Sequence, residues 1–149
     1  MYRDMKYRFP FPKNIKINIA YPTGEYAHEN FPESKYAVDF LVEIGTKVIA
    51  AKMGVVVGIK SDSDEWGLDK NLVDNTNFVV INHKDGTYAE YLHLGKGKVE
   101  VQKGDKVETG DLLGYTGYSG VMDLPHLHFN VFKIKDKKGI SIPFKFEEI

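Results

Sequence analysis

Apolar and polar positions alternate with a period of two along most of the chain, and glycine punctuates the alternation. "YAVDFLV" (36–42), "GVVVGIK" (54–60), "NFVVINH" (77–83), "TYAEYLHL" (87–94) and "HLHFNVFKI" (126–134) read as strands rich in β-branched and aromatic residues. "KINIAY" (16–21), "KVIAA" (47–51), "KVEV" (98–101), "LLGYTG" (112–117) and "SIPFKF" (141–146) complete the set. No amphipathic helical period holds beyond a turn or two. Asp85-Gly86, lying between two such runs, predicts a two-residue hairpin turn with positive φ at both positions. The pattern predicts an all-β chain, a compact and mainly antiparallel sandwich or barrel.

The sequence also echoes itself. "VEIGTKVIAAKMGVV" (42–56) and "VQKGDKVETGDLLGY" (101–115) place a strand end, a glycine turn and a new strand in the same order, 59 residues apart. A duplicated β-hairpin motif is therefore expected. The stretch "SDSDEWGLDKNLVDNTN" (61–77) is polar and without period, hence a long loop, and a loop of that length suits the wall of a groove. Its acidic residues do not fit an EF-hand, because Trp66 and Val73 stand where oxygen ligands belong. The whole of 1–149 reads as one domain, with 1–20 as an N-terminal arm, 21–135 as the core and 136–149 as a C-terminal strand and tail.

Composition narrows the chemistry. A net charge of −1 and a pI near 6.5 provide no basic field for nucleic acid or an anionic membrane surface. The absence of cysteine excludes disulfides and thiolate metal sites, so any metal must take histidine or carboxylate ligands. No apolar run approaches the ~18 residues of a spanning helix. The first residues, "MYRDMKYRFPFPKN", lack the apolar region of a secretory signal, so an extracytoplasmic substrate implies a trimmed leader or another export route.

The five histidines then stand out. In "LPHLHFNVF" (124–132), His126, His128 and Asn130 share one face of a strand while Leu127, Phe129 and Val131 share the other. His93 ends the run "EYLHL", and His28 lies in the loop "GEYAHENFPES". Asp39 interrupts the apolar "KYAVDFLV", where a carboxylate is costly to bury without a cation or metal. His83, beside the predicted turn, reads as a solvent-facing structural residue. Three nitrogen or oxygen ligands plus an open position define a catalytic zinc site, and His28, Asp39 and one of His126 and His128 could supply them.

Taken in order, "HENFPESKYAVDF", "GTKVIAAKMGVVV", "NFVVINHKDGTYAEYLHL", "VQKGDKVETGDLLGYTGYSG" and "PHLHF" resemble the lysostaphin-type (LytM-like) zinc metallopeptidases, which cut peptide bonds in bacterial peptidoglycan. The resemblance covers about 21–132. It implies Zn2+ held by His28, Asp39 and His128, with His93 and His126 as the catalytic histidines that handle the proton and the developing oxyanion, in an order the sequence leaves open. Tyr21 or Tyr26 could add an oxyanion donor. It further implies a zinc-dependent endopeptidase acting outside the cytoplasm on peptidoglycan peptides. Two departures accompany it. Ten residues separate His28 from Asp39, where the family usually has only a few, so an inserted loop is expected and Glu29 or Glu33 could replace His28. The position after "HLHF", often Glu in the family, is Asn130.

Other classes compete. A non-catalytic activator or binding module of the same fold would lack ligand residues, yet every candidate is present. A biotinyl- or lipoyl-type carrier would explain "VQKGDKVETGDLL" and a modified Lys52 in "AAKMG", but not the histidines and Asp39.

Overall fold

The computed structural model describes residues 6–21 and 32–147. Its first strands are β1 (Lys6–Tyr7), β2 (Asn18–Tyr21), β3 (Val38–Leu41), β4 (Lys47–Ile49) and β5 (Gly54–Lys60). β6 (Trp66–Gly67), β7 (Phe78–Asn82), β8 (Tyr88–Leu92), β9 (Leu94–Val99) and β10 (Lys106–Val107) follow. The last are β11 (Leu112–Thr116), β12 (Gly120–Val121), β13 (His126–Lys135), β14 (Lys138–Ser141) and β15 (Lys145–Phe146). The expected all-β architecture is what the chain adopts, and most pairings are antiparallel.

An eight-stranded sheet runs β10-β5-β7-β8-β13-β3-β2, with β14 against the second half of β13. Alternation decides its faces. Val38, Phe40, Val79, Ile81, Ala89, Tyr91, Leu127, Phe129 and Val131 are buried on one side. They share a core with Val48, Leu94 and Leu113 of the smaller sheet β4-β11-β9. Phe129 sits among Tyr7, Tyr91, Phe144 and Phe146, with ring centroids 5.1–5.9 Å away. Burying one such ring stabilises the fold by roughly 2–3 kcal/mol, and each edge-to-face contact adds ~0.5–1.5. This aromatic packing backs the strand that carries the histidine pair. Tyr7 and Phe11 of the N-terminal arm and Ile142 and Phe144 near the C-terminus belong to the same core, and β1 pairs parallel with β15.

The internal echo takes a definite form. Gly45 and Gly104 both adopt positive φ (85° and 99°), and each precedes a short strand, β4 or β10. The short strand of each copy pairs with the long strand of the other, β4 with β11 and β10 with β5. The two motifs are thus interlocked.

Some expected elements change. The turn at Asp85-Gly86 is longer than two residues: positive φ falls on Lys84 (65°) and Gly86 (91°), and His83 N–H donates to the Thr87 carbonyl at 3.0 Å. The Asp85 carboxylate accepts the Thr87 N–H at 3.0 Å and its hydroxyl, which favours this loop over the tighter one. "SIPFKF" divides between β14 and β15, because Pro143 brings no N–H to a ladder. The 61–77 loop contains β6 and a 3-10 helix, Lys70–Asn75, and β6 pairs with β12. His83 is structural but buried rather than solvent-facing, with Nδ1 2.7 Å from the Met53 carbonyl.

Candidate metal centre

β13 is the spine of the site. His128 lies opposite Asp39 of β3 on one side and Leu92 of β8 on the other. The shared face brings His128 Nδ1 and Asp39 Oδ1 to 3.1 Å, with side-chain exposures of 10% and 13%. Burial alone would push the His128 imidazolium down, but the Asp39 carboxylate, aided by Glu90, outweighs it and raises the pKa. An anionic oxygen and an imidazole nitrogen face each other in a largely desolvated place.

His93 reaches this place by an unusual backbone. It interrupts the run expected as one strand, standing between β8 and β9 at φ 73°. Its N–H donates to the Asn77 carbonyl and its own carbonyl accepts from Gly117 N–H, both at 3.0 Å. Nδ1 lies 2.7 Å from the Ser119 carbonyl. A carbonyl only accepts, so Nδ1 carries the proton and Nε2 the lone pair. Burial, then the neighbouring His126 and His128 imidazoles, push His93 down to about 3, so it is neutral at physiological pH. Its ring centroid lies 4.6 Å from that of His126 and 6.2 Å from that of His128. The partly exposed His126 uses Nδ1 against the Leu124 carbonyl at 2.8 Å, which likewise leaves Nε2 for chemistry.

Of the five candidate residues, Asp39, His93, His126 and His128 therefore lie together on one face, while His28 lies outside the described residues. So do Glu29 and Tyr26, and nothing is assigned to the Tyr21 side chain. Glu33 is described, but it is exposed and contributes its backbone carbonyl to Asn130. Among the described residues no three-ligand metal cluster is complete. The donors present nonetheless suit zinc. Two ligands each ~2 Å from a tetrahedral zinc stand ~3.3 Å apart, near the Asp39–His128 separation, and one carboxylate with imidazoles is a zinc donor set.

Sequence reasoning missed the frame behind these groups. Ser119 accepts Asn77 N–H at 3.0 Å and donates to the Leu94 carbonyl at 2.9 Å, next to the residue whose turn it fixes. The Asn77 amide bonds Ser63 N–H, the Ser63 carbonyl and the Leu94 carbonyl at 3.1, 2.7 and 3.0 Å. An asparagine at the start of an apolar run was the available signal. The 61–77 segment lies beside this frame: Ser63 bonds Asn77, β6 pairs with β12, and Trp66 stacks on Tyr118 at 4.4 Å. Where Leu124 and Pro125 lead into β13, a groove of about 630 Å³ is lined by these two with Asn14, Ile15, Leu41 and Glu43, among others. Lys52, the residue a carrier would modify, is engaged with Asp85 at 2.9 Å.

This combination of an all-β sandwich with a buried Asp–His pair and attendant histidines is that of a metallopeptidase-like fold. Residues 33–141 match Peptidase family M23, and the chain belongs to that family. Over 95 residues it is 36% identical to the glycyl-glycine endopeptidase ALE-1 of Staphylococcus capitis, covering 63% of this chain and 23% of that one. Over 93 residues it is 37% identical to the peptidoglycan DD-endopeptidase ShyA of Vibrio cholerae, covering 62% of this chain and 19% of that one. Among solved structures, the catalytic domain of the antimicrobial peptidase lysostaphin from Staphylococcus simulans superposes with a TM-score of 0.59 at 26% identity, covering 84% of this chain and 88% of that one. The chain spans less than a third of the length of the curated relatives it matches. The resemblance noted in the sequence is borne out at the level of family and fold.

Proposed function

We propose that the chain is the catalytic domain of a zinc metalloendopeptidase that hydrolyses peptide bonds in peptidoglycan, in cross-links or stem peptides, outside the cytoplasm. The observation that carries this is the buried Asp39–His128 pair, 3.1 Å apart, with His93 and His126 beside it. Asp39, His128 and, from the family resemblance, His28 hold the metal. Zinc supplies a Lewis acid for the scissile carbonyl and lowers the pKa of the attacking water.

The chain's own residues do the rest. His93, neutral and with its lone pair fixed on Nε2, accepts a hydrogen bond from the attacking water and orients it. His126, at the edge of the site, passes a proton to the leaving amine or steadies the oxyanion. The groove lined by Leu124 and Pro125, which lead into His126, suits an extended peptide.

The test is zinc content together with digestion of purified peptidoglycan, with and without chelator, reading released fragments by mass. A pentaglycine substrate and a D-alanyl cross-linked stem dimer separate the two bond types named for the relatives. Stoichiometric zinc and chelator-sensitive cleavage of either is the expected result. Protein that takes up no zinc on reconstitution and cuts neither substrate would be a binding module instead.

A further inference from the structure

Asn130 stands where β13 changes neighbours. Before it, His126–Phe129 pair with Leu41–Val38 of β3; after it, Phe132–Lys135 pair with β14. The chain that leads into β3 crosses this junction as the turn 32–36, held by side chains where no strand ladder runs. Asn130 Nδ2 donates to the Glu33 carbonyl at 2.7 Å and to Glu90 Oε1 at 3.1 Å. Ser141 Oγ donates to Asn130 Oδ1 at 2.8 Å and accepts the Tyr36 N–H at 2.9 Å. Ser141 N–H donates to the Pro32 carbonyl at 2.9 Å. Asn130 is 0% and Ser141 5% exposed, so the bond between them is shielded from water and those to Glu33, Glu90 and Tyr36 are partly so.

The network admits one orientation and few side chains. Nδ2 faces two acceptors, and Oδ1 accepts from the Ser141 hydroxyl, which itself accepts the Tyr36 N–H. A carboxylate at 130 would meet the Glu33 carbonyl and the Glu90 carboxylate with no proton to give. Glu90 is itself pushed up, first by burial and then by Glu33 against the opposing pull of His128 and Asn130. Asn130 thus supplies an amide donor that pins the turn leading into β3.

We propose that Asn130 and Ser141 are positioning residues of the metal centre, clamping the turn 32–36 so that the chain entering Asp39 is held at a fixed place over the sheet. The proposal rests on the metal-centre reading above. Its test uses Asn130→Asp, Ser141→Ala and His128→Ala in the full chain, with circular dichroism to verify folding. Amide exchange over 32–37 is measured on the zinc-free protein, and the zinc Kd by chelator competition. For Asn130→Asp and Ser141→Ala, exchange at Tyr36 and Ala37 should rise at least ~10-fold and zinc binding weaken ~10- to 100-fold, as for loss of groups that orient ligands. If Asn130→Asp does not fold, Ser141→Ala, which removes only a hydroxyl, decides. Unchanged exchange would refute the clamp, and faster exchange with an unchanged zinc Kd would refute its link to the metal. Equal zinc binding by the unaltered chain and His128→Ala would instead overturn the metal-centre reading, and the clamp's link to it as well.

Discussion

Replacing Asn77 by alanine tests how the fold holds the site. The side chain is 0% exposed and serves Ser63 N–H, the Ser63 carbonyl and the Leu94 carbonyl. Leu94 keeps the Ser119 hydroxyl at 2.9 Å, so its loss is small. Ser63 loses the partner of its N–H and of its carbonyl, and an orphaned buried group costs ~1–3 kcal/mol. The expected destabilisation is therefore roughly 2–6 kcal/mol. At about 2–4 °C per kcal/mol for a chain of this size, Tm falls by roughly 4–24 °C. Asn77→Asp should be at least as harmful: it keeps an acceptor for Ser63 N–H but sets a carboxylate oxygen against two carbonyls. Because the Asn77 carbonyl holds His93 N–H at 3.0 Å, hydrolysis should fall as well. Thermal and urea unfolding of the zinc-free protein measure the first effect. An alanine variant within 2 °C of the parent, with Asp milder than Ala, would refute this account.

Four further outcomes are expected. His128→Ala should abolish zinc retention, checked by elemental analysis; normal zinc content would show the ligand assignment to be wrong. His93→Ala and His126→Ala should keep zinc and lose turnover by ~10²–10⁴-fold on peptidoglycan peptides; near-normal rates would remove them from the chemistry. Because His93 is held near 3 against 6.5 in the unfolded chain, the unfolded state binds more protons between those values. Zinc-free protein should thus lose stability as pH falls from 6.5 toward 3, with no gain above 6.5, and His93→Gln should flatten that slope in urea titrations. A Cβ on Gly117 would stand 2.3 Å from Gly95 Cα, so Gly117→Ala should cost upwards of ~3 kcal/mol and depress Tm sharply; near-parental stability would show that the two strands can separate.

Period-two alternation located the long strands well, because a strand with one buried face imposes its pattern on its own sequence. "GVVVGIK" coincides with β5, and His126 and His128 stand opposite Leu41 and Asp39 as the alternation requires. The two-residue strands β1, β6 and β12 carry no such pattern, since their partners lie far along the chain. Asp39 was legible as a carboxylate too costly to bury alone. The break at His93 was not: nothing local to "EYLHL" announces a positive φ enforced by Asn77, Gly117 and Ser119. Asn130 was visible as a departure, but its cause lies in the Glu33 carbonyl and Ser141, contacts that exist only after folding.

The exchange of short strands between the two hairpin motifs has a consequence for biosynthesis. A nascent chain that has delivered β4 and β5 has no partner for the first until β11 emerges, nor for the edge of the second until β10 does. Asp39 and His128 are separated by 89 residues, and β1 waits still longer for β15. Partial chains therefore cannot bring Asp39 and His128 together, and the candidate site assembles only when nearly the whole sequence has emerged.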